Sequence, residues 1–173
     1  DTPATNGPIL RVPRILTGDA LQQFIDNDVL DHLESRIQGA TVVFPYRRDP
    51  YVFNKSLVLD GIDDFKIVGE RHPRRPLYPT IQYRAPYQDS TPPEDVDVTG
   101  QTNDVITAGT AGGHLFNLQR CTRFEIRNLT LSGNRTAWEN EQTQTTDGNP
   151  ISRHCIYLRS CKDVTLRNVS CTL

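Results

Sequence analysis

His114-Leu115-Phe116-Asn117-Leu118-Gln119-Arg120-Cys121-Thr122-Arg123-Phe124-Glu125-Ile126-Arg127-Asn128-Leu129 lies over His154-Cys155-Ile156-Tyr157-Leu158-Arg159-Ser160-Cys161-Lys162-Asp163-Val164-Thr165-Leu166-Arg167-Asn168-Val169 at a constant offset of 40 residues. His, Leu, Cys, Arg and Asn are identical at 114/154, 118/158, 121/161, 127/167 and 128/168, and most other pairs keep their polarity. An earlier stretch, residues 57–69, fits the same frame at an offset of 59. Such self-similarity marks a repeat architecture. Within the frame, apolar residues at 116, 118, 124 and 126 alternate with polar ones, so the former point inward and the latter outward. Position 128 is then a corner. Its occupants in the three runs are Gly69, Asn128 and Asn168, the residue types that best tolerate left-handed backbone angles. Beyond the corner the inward pattern resumes with Leu129, Leu131, Val169 and Cys171. Strand, corner, strand at a variable interval describes the coils of a parallel β-solenoid, in which no coil is stable alone.

Upstream of these coils the pattern supports the same reading. From Ala40 the hydrophobic period is two: Thr41-Val42-Val43-Phe44-Pro45, Tyr51-Val52-Phe53, Ser56-Leu57-Val58-Leu59 and Phe65-Lys66-Ile67-Val68 read as short strands with turn residues between them. Strands of this length suit a sandwich, a barrel or a solenoid, and the repeat selects the solenoid. Before Ala40 the spacing is helical. Leu21, Phe24, Ile25, Leu30, Leu33 and Ile37 recur three to five apart, Thr17 fits an N-cap, Asp19 suits the first turn and Gly39 stops the run. Asp26-Asn27-Asp28 is expected to split this run into two short helices. The predicted organisation is an extended arm over 1–16, a capping helix region over 17–39, and the first coils of a parallel β-helix over 40–173, with insertions at 70–104 and 134–153.

The stretches Gly39-Ala40-Thr41-Val42-Val43-Phe44-Pro45, Ser56-Leu57-Val58-Leu59-Asp60-Gly61 and Phe65-Lys66-Ile67-Val68-Gly69-Glu70, with the two 40-spaced runs, resemble the right-handed parallel β-helix superfamily, the pectate-lyase-like proteins. The resemblance implies an all-β solenoid, an N-terminal helix covering the open end of the stack, and a stacked Asn ladder at the corner, which suits Asn128 and Asn168. It is nearly silent on activity, because one fold hosts many functions.

Composition narrows the setting. A chain of 173 residues holds one ordinary domain. Nineteen basic and 21 acidic residues leave a formal charge of -2, which argues against a nucleic-acid clamp. No apolar run approaches the roughly 18 to 20 residues of a membrane-spanning helix. The sequence contains no Met and opens at Asp1-Thr2-Pro3-Ala4, and its four cysteines (Cys121, Cys155, Cys161, Cys171) lack CxxC spacing. Together these features point to a secreted or extracellular protein rather than a zinc ribbon or a thioredoxin-type redox pair. The cysteines allow three pairings, and sequence chooses none. Leu173 falls inside a coil, so the expected arrangement is the N-terminal portion of a longer β-helix, with a second chain or a further stretch continuing the stack.

The insertions carry the residues that suit carbohydrate chemistry. The first mixes Tyr78, Tyr83 and Tyr87 with Arg71, Arg74, Arg75, Arg84 and several prolines. Tyr stacks on sugar rings and Arg grips carboxylates, so Tyr78, Tyr83, Arg84 and Tyr87, with Trp138 of the second insertion, are the candidate carbohydrate-binding residues. The plainer reading is a Pro-stiffened loop on the outer face, with Thr80-Ile81-Gln82-Tyr83 as one more strand. The second insertion also holds Glu139, Glu141, Asp147 and Arg153. Two carboxylates roughly 5 to 9.5 Å apart are what glycoside hydrolysis requires. A β-elimination wants a base such as Arg or Lys and a group that neutralises the uronate carboxylate. Acidic residues in such polar loops are also often simply solvated.

His114 and His154 are expected to stack about 4.8 Å apart, as a side-chain ladder rather than a metal or acid-base pair. Cys121 and Cys161 stack likewise as small apolar groups. Of four N-glycosylation sequons, Asn134 and then Asn54 are the candidate acceptors, because Asn128 and Asn168 are expected to be bonded along the ladder. The Asn-Thr-Asp, Gly-Asp-Asp, Gly-His-Gly and Arg-Ile-Lys motifs of polygalacturonases are missing. No spaced-Asp cluster indicates Ca2+, and no metal or cofactor is expected. P-loop, dinucleotide, nucleophile-elbow and HExxH motifs are also missing. The resulting expectation is a secreted carbohydrate-active protein, a lyase or glycoside hydrolase acting on an acidic polysaccharide. The alternative is a non-catalytic extracellular module that binds carbohydrate or a receptor, or serves as a structural surface protein.

Overall fold

The computed structural model describes residues 7–31, 40–53, 57–83, 115–133 and 155–172. Among them the strands are β1 (Ile9–Arg11), β2 (Ala40–Phe44), β3 (Tyr51–Phe53), β4 (Leu57–Asp60), β5 (Asp63–Gly69), β6 (Thr80–Tyr83), β7 (Phe116–Gln119), β8 (Thr122–Ser132), β9 (Ile156–Arg159) and β10 (Lys162–Thr172), with one helix, α1 (Gly18–Phe24). Every pairing is parallel. The strands form a strongly curled sheet in which β1, β2, β5, β8 and β10 follow one another, and β3 and β6 adjoin the far half of β8. A second, three-stranded sheet runs β4-β7-β9.

The register matches the repeat. Phe116, Leu118, Phe124 and Ile126 stand beside Ile156, Leu158, Val164 and Leu166, an offset of 40. Leu57, Leu59, Phe65 and Ile67 stand beside Phe116, Leu118, Phe124 and Ile126, an offset of 59. Because a parallel ladder in register sets equal positions about 4.8 Å apart, like packs on like. Phe65 and Phe124 stack with centroids 5.0 Å apart and planes 5° from parallel. These residues form one continuous core with Phe44, Tyr51, Phe53, Ile81, Leu129 and Leu131. That core thins towards β9 and β10, where Leu158 and Leu166 are in register with buried Leu118 and Ile126 yet are 39% and 48% exposed.

The corners are also in register. Gly61, Arg120 and Ser160 have φ of 67°, 51° and 52°; Asp64, Arg123 and Asp163 have 61°, 51° and 53°. Asn128 and Asn168 follow with 58° and 51°, and the Asn168 amide donates to Asn128 Oδ1 at 3.0 Å. Left-handed geometry costs a non-Gly residue about 1–2 kcal/mol, so each corner needs support. Arg120 pairs with Asp60, and Arg123 with Asp63 at 2.7 Å, both in the preceding coil. Gly69 departs from the expectation. It sits at the corner position without a left-handed φ, and a Cβ there would lie 1.8 Å from the Asn128 carbonyl oxygen and 2.8 Å from Pro79 Cγ. Close backbone approach, not backbone angle, is what demands glycine.

At the N-terminal side, β1 adds to β2 in register, Ile9 with Thr41 and Arg11 with Val43. α1 packs against β3, and the chain continues as a π-helical stretch over Ile25–Leu30. Asp26-Asn27-Asp28 therefore widens the helix rather than splitting it. Leu21, Ile25 and Val29, four apart, are fully or almost fully buried in the shared core; Leu33 and Ile37 lie outside the described residues. Thr17 occupies the N-cap in extended geometry without a side-chain capping bond. Arg47 ties this region together. Its guanidinium donates to the carbonyls of Arg14 (2.8 Å), Leu16 (2.7 Å) and Pro50, its Nε to that of Asp49 (2.9 Å), and it lies 3.8 Å over the Tyr51 ring. Among the described residues no helix is long and apolar enough to cross a membrane.

Two substitutions of opposite sign test the corner account. Gly69→Ala forces a methyl into the Asn128 backbone and should cost about 3 kcal/mol. Ser160→Gly releases a left-handed serine and should gain about 0.5–1 kcal/mol, raising the melting temperature by roughly 2–4 °C. Thermal and urea unfolding of both variants measure this, and destabilisation by Ser160→Gly would contradict the account.

Candidate functional site

Alternation along each strand gives the coils three outward faces of different chemistry. On β6 and the second halves of β8 and β10, the outward rows are Thr80, Thr130 and Ser170, then Gln82, Ser132 and Thr172. This face is neutral, and the Ser170 hydroxyl lies 3.2 Å from that of Thr130. On β7 and β9, Asn117 stands beside Tyr157, and Gln119 donates to Asn117 Oδ1 at 3.2 Å.

Charge collects on the third face, built by β5 and the first halves of β8 and β10. Lys66, Glu125 and Thr165 form one outward row; Val68, Arg127 and Arg167 form the next. Neighbouring coils are about 4.8 Å apart and neighbouring rows roughly 6.6 Å, two residues along a strand. Lys66 and Glu125 are buried although their positions face outward. Glu125 Oε1 lies 3.6 Å from Arg127 Nη1. Arg127 keeps 39% of its side chain exposed, while its Nε is cut off from solvent and has no hydrogen-bond partner among the described residues. Arg167 is exposed. Two guanidiniums in register, one of them braced by a buried carboxylate, can neutralise and orient planar anions such as carboxylates. At the edge of the same sheet Arg11 pairs with Glu70 at 2.5 Å.

Few of the residues singled out in the sequence are among those the structure describes. Arg84, Tyr87, Trp138, Glu139, Glu141, Asp147, Arg153, Asn134, Asn54, His114 and His154 lie outside the described residues. Tyr83 ends β6, in register with Phe53. Tyr78 is half-buried, next to Pro79, whose carbonyl accepts the Thr130 N–H at 3.0 Å. Arg71, Arg74 and Arg75 are exposed on a turn closed by His72 N–H to the Leu77 carbonyl at 2.8 Å and by Arg74 N–H to His72 Nδ1 at 3.1 Å. The His72 ring meets the Tyr46 ring edge-on at 4.8 Å. For Lys66, Glu125, Arg127 and Arg167 the alternating pattern indicates only an outward position. The signal was the Arg shared by 127 and 167, an identity at an outward position where packing does not demand one.

The buried Cys121 thiol is a poor nucleophile. Burial, chiefly, pushes the Cys121 thiol up to about 11, and its sulfur sits 3.4 Å from the Leu59 carbonyl oxygen and 3.3 Å from that of Gln119. A neutral thiol does not attack. None of the family models, curated proteins or solved structures compared with the chain matches it, so the functional reading rests on the charged face itself.

Raising the Cys121 pKa in the fold makes stability depend on pH. The contribution is complete below the thiol's ordinary value of 9.0 and is lost as pH rises towards about 11, because only the unfolded chain releases the proton in that interval. Urea midpoints of the reduced protein should therefore fall across this window. Cys121→Ala should flatten the fall, and an unchanged pH profile in that variant would refute the assignment.

Proposed function

We propose that this chain is part of a right-handed parallel β-helix of the pectate-lyase-like kind, secreted, that acts on an acidic polysaccharide as a lyase or glycoside hydrolase. The observation that carries the reading is the in-register pair Arg127 and Arg167 on an outward face, with Lys66 and Glu125 behind them. A polyuronate presents carboxylates along an extended chain. Arginines stacked on successive coils meet such carboxylates with paired N–H donors. Neutralising a uronate carboxylate also makes the adjacent C–H more acidic, which is the first requirement of β-elimination. Glu125 lies too deep to meet a polymer; its role in this reading is to hold Arg127. Tyr78, Tyr83, Arg84, Tyr87 and Trp138 would extend the sugar contacts, and Glu139, Glu141, Asp147 and Arg153 would supply proton transfer. No metal or cofactor is invoked.

The test is a panel of acidic and neutral polysaccharides. Elimination produces unsaturated ends that absorb near ~235 nm, whereas hydrolysis produces reducing ends without that band. Arg127→Ala and Arg167→Ala should each weaken action or binding about ten- to a hundredfold, the value of one charge-assisted contact. Unchanged action in both variants would take the site off this face, and no product from any glycan, or binding to neutral glycans or protein receptors alone, favours the non-catalytic surface module.

A further inference from the structure

The fold divides the four cysteines into two unlike pairs. Cys121 and Cys161 hold equivalent places in successive coils, and each sulfur is directed at the coil before it. Cys121 Sγ is 3.4 Å from the Leu59 carbonyl oxygen, and Cys161 Sγ is 3.3 Å from that of Leu118. Each also lies close to a carbonyl two residues back, Gln119 at 3.3 Å and Arg159 at 3.5 Å. These thiols point the same way rather than at each other.

Cys155 and Cys171 belong to a single coil. Cys155 immediately precedes β9, and Cys171 is the penultimate residue of β10. Cys171 is in register with Leu131, a fully buried inward residue, so its position faces the interior of the end coil. Cys155 is buried, with its sulfur 3.6 Å from the Leu131 carbonyl oxygen and 3.7 Å from that of Thr172. Those carbonyls flank Cys171, one on the neighbouring strand and one along the chain, so the Cys155 sulfur lies beside the Cys171 position. Cys171 is exposed, which leaves the pair reachable from the open end of the core.

We propose that Cys155 and Cys171 form a disulfide that closes the end coil into a covalent ring. The oxidant is a small-molecule disulfide. The Cys171 thiolate attacks one of its sulfurs and expels one thiolate, leaving a mixed disulfide on Cys171. Cys155 then loses its proton and attacks the Cys171 sulfur, expelling the second thiolate. The protein loses two hydrogens, and the small disulfide becomes two thiols. Bond formation brings the two sulfurs to about 2.05 Å. The second step is the slow one, because burial first, and the neighbouring Cys171 next, push the Cys155 thiol up to about 12. Raising pH should therefore speed closure.

The reduced chain incubated with oxidised glutathione, then acid-quenched, alkylated in denaturant and digested, tests this. The expected product is lighter by two hydrogens, links the Cys155 and Cys171 peptides, leaves Cys121 and Cys161 alkylated, and unfolds a few degrees higher. Cys155→Ser should stop at a lasting mixed disulfide on Cys171, while the Cys121→Ala/Cys161→Ala double variant should still close. A Cys121–Cys161 linkage, or a mixed disulfide that persists on Cys171 in the unsubstituted chain, would overturn the proposal.

Discussion

Backbone pairing between successive coils, parallel and in register, is the constraint on which the rest depends. A strand has no partner of its own for its N–H and C=O groups; each is satisfied only by the parallel strand beside it. Holding that ladder fixes which residues share a column. Apolar residues must therefore recur at the same phase, as Phe65 and Phe124 do. Turns must recur at the same phase too, since a corner displaced by one residue would turn the next strand inside out. The left-handed residues at 61, 120 and 160, and at 64, 123 and 163, are that requirement written in backbone angles. Gly69 shows its other side: where one coil passes close to the next, the Asn128 carbonyl leaves no space for a side chain.

How much of this was legible follows from which demands leave a mark on residue type. Columns demand like on like, so the offsets of 40 and 59 could be read directly and carry over to the strand register. The Asn128 and Asn168 corner was legible because Asn tolerates left-handed angles and bonds to its own kind. The corners at 120 and 123 were not. Arg has no preference for that geometry, and what holds it is a carboxylate of the preceding coil, Asp60 or Asp63, which becomes a neighbour only once the stack exists. β1 was obscure for the same reason, since three residues among prolines form a strand only because the β2 edge is there to receive them.

The site was harder to see than the fold. Composition drew attention to the insertions, where Tyr, Trp and paired carboxylates gather, whereas the described coils place charge on a regular face. An alternating pattern assigns Lys66, Glu125, Arg127 and Arg167 to the outside and stops there. It does not say that Lys66 and Glu125 are buried on that outside, or that Arg127 is braced by Glu125. Those facts belong to tertiary structure. The pair of identical arginines was visible, but its weight depends on knowing that the two lie in one column.

That column has an energetic oddity that bears on its use. Two guanidinium positions at coil spacing, about 4.8 Å, repel by about 1 kcal/mol in water and by about 3 kcal/mol at an effective dielectric of 20. Glu125 offsets the charge on Arg127, but Lys66 adds another positive group, so the four side chains sum to two positive charges. A sequence shaped for stability alone would alternate sign along the column, as Asp64, Arg123 and Asp163 do at the corner. Keeping like charges stacked instead leaves repulsion that an arriving carboxylate relieves. In the proposed reading the penalty in the free protein becomes part of the affinity for an acidic polysaccharide, and salt screens both terms.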